Sequence, residues 1–222
     1  MAIVDTSDAD GRRSISERAS GSGGGAAIDK PRRARGDVSV SDIVAAAREC
    51  FAERGVAQTR MDDVAQRAGV SRPHVYAFVS SRAELVELVA MERLRELGTI
   101  LQERARDLDG DIGEAIVDQI IETILRGRDD PEFTSLADAM PRLELNELLT
   151  SGSSPLHAVT TNVFGPLLAR ALAEGRLRAD VSIDAIVEWL QGVVALLSGR
   201  HNLANEDLRT MARRFVLPGL LT

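Results

Sequence analysis

Apolar residues recur at helical spacing from about residue 39 onward. The first apolar face consists of five residues at offsets 0, 3, 4, 7 and 11, namely Val40, Ile43, Val44, Ala47 and Phe51. Ser39 followed by Asp42 predicts an N-terminal cap, and Gly55 predicts the end of this helix. The pattern therefore predicts a helix over about 40–54.

Three further helix starts follow at short intervals. Thr59, with Asp62 three residues later, predicts the cap of a second helix that ends at Gly69. Ser71 predicts the start of a third helix, and Ser81 the start of a long fourth helix that extends to roughly 102–106. Three short helices followed by a long one are predicted over the first half of the chain.

The second half continues as helices separated by turn signals. The pattern predicts helices over 112–124, 133–149 with a break at Pro141, 163–174, 182–197 and 206–216, with a loop over 150–155. Aromatic residues make up only 3% of the chain, which also favours helices over sheets. We therefore expect an all-α fold.

Charge and composition separate the N-terminal region from the rest. Residues 1–29 are rich in Ser, Gly and Asp, which predicts a disordered tail, and 30–38 form a basic arm that includes Arg35. Residues 30–82 carry 10 basic and 6 acidic side chains, a net +4, whereas residues 83–222 carry 14 and 23, a net −9. The overall charge of −7 thus hides a basic segment of the kind that faces nucleic acid.

Several classes of protein lack their usual sequence features here. Cys50 is the single cysteine, and the three histidines (His74, His157 and His201) are scattered, so we expect no disulfide framework, metal site or cofactor. We find no nucleophile elbow, no His-Glu-x-x-His helix and no phosphate-cradling glycine loop, and we expect no enzyme activity. No apolar run approaches the roughly 20 residues of a membrane span, and no signal peptide is recognised, so a cytoplasmic protein is expected.

Residues 60–79 meet the packing requirements of a helix-turn-helix motif. Ala65 is small enough for two helices to cross closely, and Gly69 suits the tight turn. Three apolar residues would anchor the inner face of the third helix: Val70, Val75 and Phe78. Four residues would then point outward, towards a major groove: Arg72, Pro73, His74 and, in part, Tyr76.

The spacing of these residues resembles the N-terminal domain of the tetracycline-repressor (TetR) family. The resemblance is carried by Ile43-x-x-Ala46-Ala47-x-x-x-x-Phe51-x-x-x-Gly55, by Thr59-x-x-Asp62-x-Val64-Ala65-x-x-Ala68-Gly69-Val70-Ser71 and by Tyr76-x-Phe78-x-Ser80-x-x-x-Leu85. It implies a three-helix DNA-binding domain over 39–90, followed by a helical effector-binding and dimerisation domain over 91–222. A DNA-binding transcription regulator, by default a repressor released by a small molecule, is the implied function.

The resemblance also implies roles for individual residues. Thr59 and Arg60 correspond to phosphate-gripping positions, and four residues to base-reading positions: Ser71, Arg72, Pro73 and His74. Tyr76 corresponds to a backbone-contacting tyrosine, and Arg82 stands where the family usually has a phosphate-binding lysine. Arg35 in the basic arm is a further candidate for DNA contact. Capping alone remains open for Thr59 and Ser71, and packing alone for Tyr76.

The C-terminal half gives a looser set of expectations. The helix over 183–197 is apolar on more than one face, which predicts burial against a second subunit, and a dimer suits a palindromic double-stranded DNA operator. Four residues are candidates to line a cavity for a small, hydrophobic effector: Met140, His157, Phe164 and Trp189. An activator, or a helical protein-interaction scaffold that does not bind specific DNA, remains open as an alternative.

Overall fold

The computed structural model describes residues 38–222. Within that range the chain forms ten α-helices: α1 (Val40–Arg54), α2 (Met61–Ala68), α3 (Arg72–Val75), α4 (Arg82–Arg106), α5 (Ile112–Asp129), α6 (Pro131–Ala139), α7 (Arg142–Thr150), α8 (Leu156–Ala173), α9 (Ile183–Ser198) and α10 (Asn205–Met211). α10 continues as a π-helical turn over Ala212–Val216 and a 3₁₀ turn over Leu217–Gly219. These residues contain no β-strand, so the all-α prediction is confirmed. The tail over 1–29 and residues 30–37 of the arm, with Arg35, lie outside the described residues.

The first helix is capped as its sequence predicts. The Ser39 hydroxyl accepts a hydrogen bond from the Asp42 amide at 3.3 Å, and the Asp42 carboxylate accepts one from the Ser39 amide at 2.9 Å. At the other end, Gly55 has a φ of +82°, a conformation that glycine adopts without steric cost. Both boundaries of the helix are therefore set by local residues.

The cap predicted at Thr59 is wrong. Arg60 is the N-cap of α2, and the Asp63 carboxylate accepts a hydrogen bond from the Arg60 amide at 2.8 Å. Thr59 is buried, and its hydroxyl lies within hydrogen-bonding distance of the carbonyls of Cys50 (3.1 Å) and Gly55 (2.9 Å). The hydroxyl faces the carbonyl end of α1, and Thr59 lies one residue before the N-cap position of α2.

Helix α8 begins seven residues before its predicted start at Val163, and Pro166 lies inside it. The proline and the polar residues before it obscure the apolar pattern, but packing against α4 supports the helix. Gly98 of α4 lies so close to Val159 that a Cβ on the glycine would come within 2.5 Å of the valine Cγ1. Close contact with α4 therefore outweighs the local cost of the proline.

Two hydrophobic clusters lie at opposite ends of the long helix α4. The N-terminal cluster joins the buried faces of α1, α2, α3 and the first half of α4, and it also receives four residues from the second half of the chain: Leu136, Met140, Leu148 and Leu156. The C-terminal cluster joins the second half of α4 with α5, α8, α9 and the end of the chain. Because α4 and α6 to α8 contribute to the N-terminal cluster, the packing does not stop at the domain boundary predicted at residue 90.

Candidate nucleic-acid interface and internal cavity

Helices α2 and α3 are joined by the tight turn that the sequence predicts. Gly69 lies in the left-handed region, with φ +72° and ψ +24°, and the next amide, that of Val70, donates to the Ala65 carbonyl at 3.0 Å. Ala65 and Val75 are buried where α2 and α3 meet the rest of the N-terminal cluster. α3 is thus held in place through its inner face and the turn before it.

The regular part of α3 is only four residues long and then tightens. The amides of Ala77 and Phe78 donate to carbonyls three residues back, at 3.1 Å and 3.0 Å. Val79, the next residue, is buried. The predicted recognition helix to about Phe78 is therefore a single α-helical turn followed by a tighter helical turn.

The start of α3 exposes side chains that can form hydrogen bonds. Ser71 occupies the N-cap position, but its side chain makes no capping hydrogen bond, and both Arg72 and Pro73 are exposed. The Arg72 guanidinium lies 5.6 Å from the centre of the Tyr76 ring, and its Nη1 atom is 3.1 Å from the Asp62 carboxylate. Tyr76 and Asp62 both raise the pKa of Arg72 and hold its guanidinium in place. The paired donors of a guanidinium match the acceptors on the edge of a guanine.

His74 is less available than the sequence predicts. It is half-buried, and its ring packs edge-to-face against Phe78 with the centroids 5.3 Å apart. Its expected outward position is therefore only partly realised, because its ring also covers the inner aromatic residue.

Arg82 lies against the loop between α1 and α2. Its guanidinium donates to the Val56 carbonyl, and its Nε atom is 3.5 Å from the Thr59 carbonyl. The side chain is half-buried, and its hydrogen bonds hold this loop. The sequence indicated a phosphate contact for Arg82 and gave no sign of these bonds to the loop. The buried Thr59 hydroxyl is likewise occupied by carbonyls and does not reach outward.

Arg60 remains an exposed cation beside this loop. Among residues 38–222 its guanidinium has no carboxylate partner within ion-pair distance, whereas two neighbouring arginines are paired. Arg54 binds Asp63 at 2.5 Å, and Arg67 binds Glu49 at 2.8 Å and also Glu53. Arg60 is thus better placed than Thr59 or Arg82 to meet a phosphate.

A cluster of five charged residues connects α1 with α4 and α6, and we call it the interhelical ion cluster: Arg48, Arg93, Glu96, Asp130 and Glu132. Arg48 lies 2.7 Å from Glu96 and 2.8 Å from Glu132, and Arg93 lies 2.7 Å from Glu96 and 2.5 Å from Asp130. Hydrogen bonds from Arg48, and next from Arg93, lower the pKa of Glu96 to about 2. This cluster could not be recognised from the sequence, since only the Arg93–Glu96 spacing is visible along the chain.

An internal cavity of about 350 Å³ lies between α4, α5, α6, α7, α8 and α9. Its wall is mostly apolar and includes Leu97, Leu101, Val163 and Phe164, all buried. The exposed members of the lining are Thr134 and Asp138 on α6 and Gly199 and His201 after α9, so the opening lies between these two elements. A cavity of this size and polarity fits a small organic molecule.

Only one of the four predicted effector residues lines this cavity. Phe164 contributes to its wall, whereas Met140 is buried in the N-terminal cluster. His157 hydrogen-bonds to Asp184 at 2.9 Å, and Trp189 lies on the surface with 53% of its area exposed. The structure thus places Met140, His157 and Trp189 away from the cavity. Met140 packs in the N-terminal cluster, His157 binds Asp184, and Trp189 faces solvent.

Residues 38–222 contain no group of three His, Cys, Asp or Glu side chains arranged to hold a metal ion. None of the helices in this range is both long and apolar enough to cross a membrane.

Part of the sequence matches known regulators. Residues 43–89 match the family described as "Bacterial regulatory proteins, tetR family". Uncharacterised HTH-type transcriptional regulators of Mycobacterium bovis and Mycobacterium tuberculosis are 31% identical over 116 residues, which cover 51% of this chain and 58% of each relative. The match therefore spans little more than half the length of these relatives.

Solved structures share the fold. The TetR family repressor AlkX from Dietzia sp. superposes with a TM-score of 0.58 at 17% identity, over 84% of this chain and 96% of AlkX. RolR in complex with resorcinol gives a TM-score of 0.52 at 17% identity, over 79% of this chain and 93% of RolR. Residues 43–89 are thus similar to the helix-turn-helix domain of the tetR family of bacterial regulatory proteins, and the chain shares the all-helical fold of AlkX and RolR.

Proposed function

We propose that this chain is a sequence-specific DNA-binding transcription regulator, a repressor whose hold on DNA a small molecule releases. The observation that carries the proposal is the exposed start of α3, where Ser71, Arg72 and Pro73 project from a turn fixed by Gly69 and Val75. An exposed cation beside a serine hydroxyl that makes no capping bond suits the edge of a base pair and its phosphate. The description of AlkX as a repressor supports the choice of repressor over activator.

Phosphate contacts fall to residues around the α1–α2 loop in this proposal. The exposed Arg60 supplies charge, while Arg82 holds the loop carbonyls that position it. Tyr76, 40% exposed, is free to reach the DNA backbone through its hydroxyl. Such contacts fix the register of α3, and the base contacts of Arg72 supply sequence preference.

We also infer that two copies associate through α8 and α9. Four large apolar side chains on these helices are exposed: Leu172 (57%), Ile183 (45%), Trp189 (53%) and Leu196 (60%). The sequence predicts that this apolar helix is buried against a partner, and its outer face is uncovered in the single chain. A dimer would present two α3 helices to a palindromic operator with half-sites roughly 34–36 Å apart, or a multiple of that distance.

α6 supports control of DNA binding from the cavity. Phe133 and Ala137 line the cavity, Leu136 packs in the N-terminal cluster, and Glu132 binds Arg48 of α1. A molecule that displaces α6 would therefore disturb α1 and the helices that pack on it. The resorcinol bound to RolR is a precedent for a small ligand in a protein of this fold.

The proposal is tested by retardation of DNA that flanks the protein's own coding region. We expect specific retention that survives excess unrelated DNA and weakens steeply with salt, since phosphate contacts release counterions. A protein-interaction scaffold would retain no specific DNA at any salt concentration, and that result would refute the proposal. Binding to chromosomal DNA would require a cytoplasmic protein and no catalytic step.

A further inference from the structure

The polar side chains of the cavity wall that are not exposed come from three different helices. They include Thr123 of α5, Thr160 of α8 and Gln191 of α9. Thr160 and Gln191 are buried, with 7% and 3% of their surface exposed. Polar side chains in so apolar a wall decide which chemical groups a bound molecule can present there.

Both threonine hydroxyls have already committed their hydrogen atom. Thr123 donates to the Gln119 carbonyl at 2.7 Å, and Thr160 donates to the Leu156 carbonyl at 3.1 Å. A hydroxyl has one hydrogen to donate and two lone pairs that accept. Each threonine therefore offers a ligand an acceptor and no donor.

The Gln191 side chain likewise has its donor group engaged and its acceptor unpaired. Its Nε2 atom lies 3.1 Å from the Leu149 carbonyl, 3.1 Å from the Ser151 carbonyl and 3.3 Å from the Ser154 hydroxyl. The two carbonyl partners fix the amide orientation, because exchanging nitrogen and oxygen would set three oxygens against each other. The Gln191 Oε1 atom is buried and has no hydrogen-bond partner among the described residues.

The cation at the cavity rim is engaged elsewhere. Arg128 donates from Nε to the Ser198 carbonyl at 3.0 Å and from Nη2 to the Leu197 carbonyl at 2.5 Å. These bonds satisfy carbonyls at the C-terminal end of α9. Thr123, Thr160 and Gln191 thus offer unpaired acceptors, and two nitrogens of the neighbouring guanidinium are committed to the helix end.

We propose that the cavity binds a small apolar molecule that carries a hydroxyl or amino group, and that this group donates a hydrogen bond to Gln191 Oε1. Thr123 and Thr160 are further acceptors within the same wall. A carboxylate is disfavoured, because it would set its own acceptors against these oxygens inside an apolar space. This inference deepens the proposed function and rests on it only for its biological meaning, since binding is measured without DNA.

The chemistry is tested by calorimetric titration of the full chain with three compounds that share one carbon chain: octanol, methyl octyl ether and octanoate. We expect octanol to bind about three- to tenfold more tightly than the ether, in which a methyl group replaces the donor hydrogen, and octanoate to bind more weakly still. Equal binding of octanol and the ether would overturn the proposal. So would tighter binding of octanoate, which would instead indicate recognition of an anion at Arg128.

Two substitutions separate the acceptor from the structural role of Gln191. Gln191→Met removes the acceptor oxygen together with the amide hydrogens that bind the loop before α8, whereas Ser154→Ala removes one partner of this amide and keeps the acceptor. We expect Gln191→Met to bind octanol and the ether alike and Ser154→Ala to keep the preference for octanol. A preference that persists in Gln191→Met would overturn the proposal, and the wild-type titrations decide the question if neither variant folds.

The same compounds separate this inference from the proposed function. Their effect on DNA retention is measured beside their affinity for the free protein. Octanol that binds with the expected preference and leaves DNA retention unchanged would refute ligand control and uphold the cavity chemistry. Release of DNA by all three compounds alike would uphold ligand control and refute the chemistry.

Discussion

The outward face of α3 and the internal cavity differ in how much of the chain each one requires. The face of α3 depends on a turn at Gly69, a buried Val75 and an ion pair between Arg72 and Asp62, ten residues apart. The cavity wall draws on six helices between Leu94 and His201. One region is therefore fixed by local rules and can lose an exposed side chain without loss of stability, whereas the other is part of the core.

The largest effect is expected where the cavity wall is core. Phe164 is 1% exposed, so Phe164→Ala should lower the free energy of unfolding by about 3–5 kcal/mol. Leu143→Ala is the matched control, because Leu143 is 78% exposed and its loss should change stability by about 0.5 kcal/mol or less. Urea unfolding measures both free energies. A Phe164→Ala protein as stable as the control would contradict the claim that Phe164 is packed in the core.

The second effect concerns DNA binding without a change in stability. Arg72→Ala should weaken binding to the selected operator by about 1–3 kcal/mol and relax preference at one base pair. Its thermal midpoint should stay near that of the wild type, because the side chain is exposed. Arg142→Ala, an exposed arginine at the start of α7, is the control, and equal operator affinity in both variants would remove Arg72 from the interface.

The interhelical ion cluster connects α1 with α4 and α6, and its loss should lower the free energy of unfolding by less than Phe164→Ala does. Arg48→Met leaves Glu96 and Glu132 without their shared guanidinium and should cost about 1–3 kcal/mol of folding free energy. Arg67→Met breaks more exposed pairs between α1 and α2 and should cost about 1 kcal/mol or less. The reverse order of the two costs would show that α6 is not fastened to α1 by this cluster.

The same cluster predicts a dependence on acid. The folded pKa of Glu96 is about 2, below its ordinary value of 4.5, so its contribution to stability is present above pH 4.5 and is lost as the pH falls towards 2. The pKa of Asp130 is also lowered, mainly by Arg93, and acts in the same direction. The stability difference between the wild type and Arg48→Met should shrink between pH 7 and roughly pH 3. A constant difference in urea unfolding across that range would contradict the assignment.

The smallest effect is expected at Arg60. Arg60→Ala should weaken binding to all DNA sequences alike and reduce the slope of affinity against salt by about one unit. Arg82→Ala should in addition lower stability, because its guanidinium holds the carbonyls of Val56 and Thr59. Salt titrations of both variants distinguish a phosphate contact from a support of the loop.

The sequence was informative where a single residue decides the local conformation. The capping pair of Ser39 and Asp42, the turn at Gly69 and the start of α4 at Ser81 were all predicted and are confirmed. Each depends on hydrogen bonds or backbone angles within a few residues. The motif over 60–79 could therefore be located before the fold was known.

Contacts between distant residues could not be predicted in this way. Thr59 was predicted as a cap, but packing gives its hydroxyl the carbonyls of α1. Arg82 was assigned to phosphate, yet the loop before α2 lies within its reach, and Trp189 faces outward although its helix is apolar. Such choices depend on which helices meet, and this information is not contained in a local pattern.

Selection of bound DNA from a random pool tests the central claim most directly. We expect enrichment of an inverted repeat whose half-sites lie one helical turn apart, roughly 34–36 Å, or a multiple of it. We also expect Arg72→Ala to lose preference at one symmetric position in each half-site. A pool that stays unenriched with the wild-type protein at low salt would contradict sequence-specific binding by the face of α3.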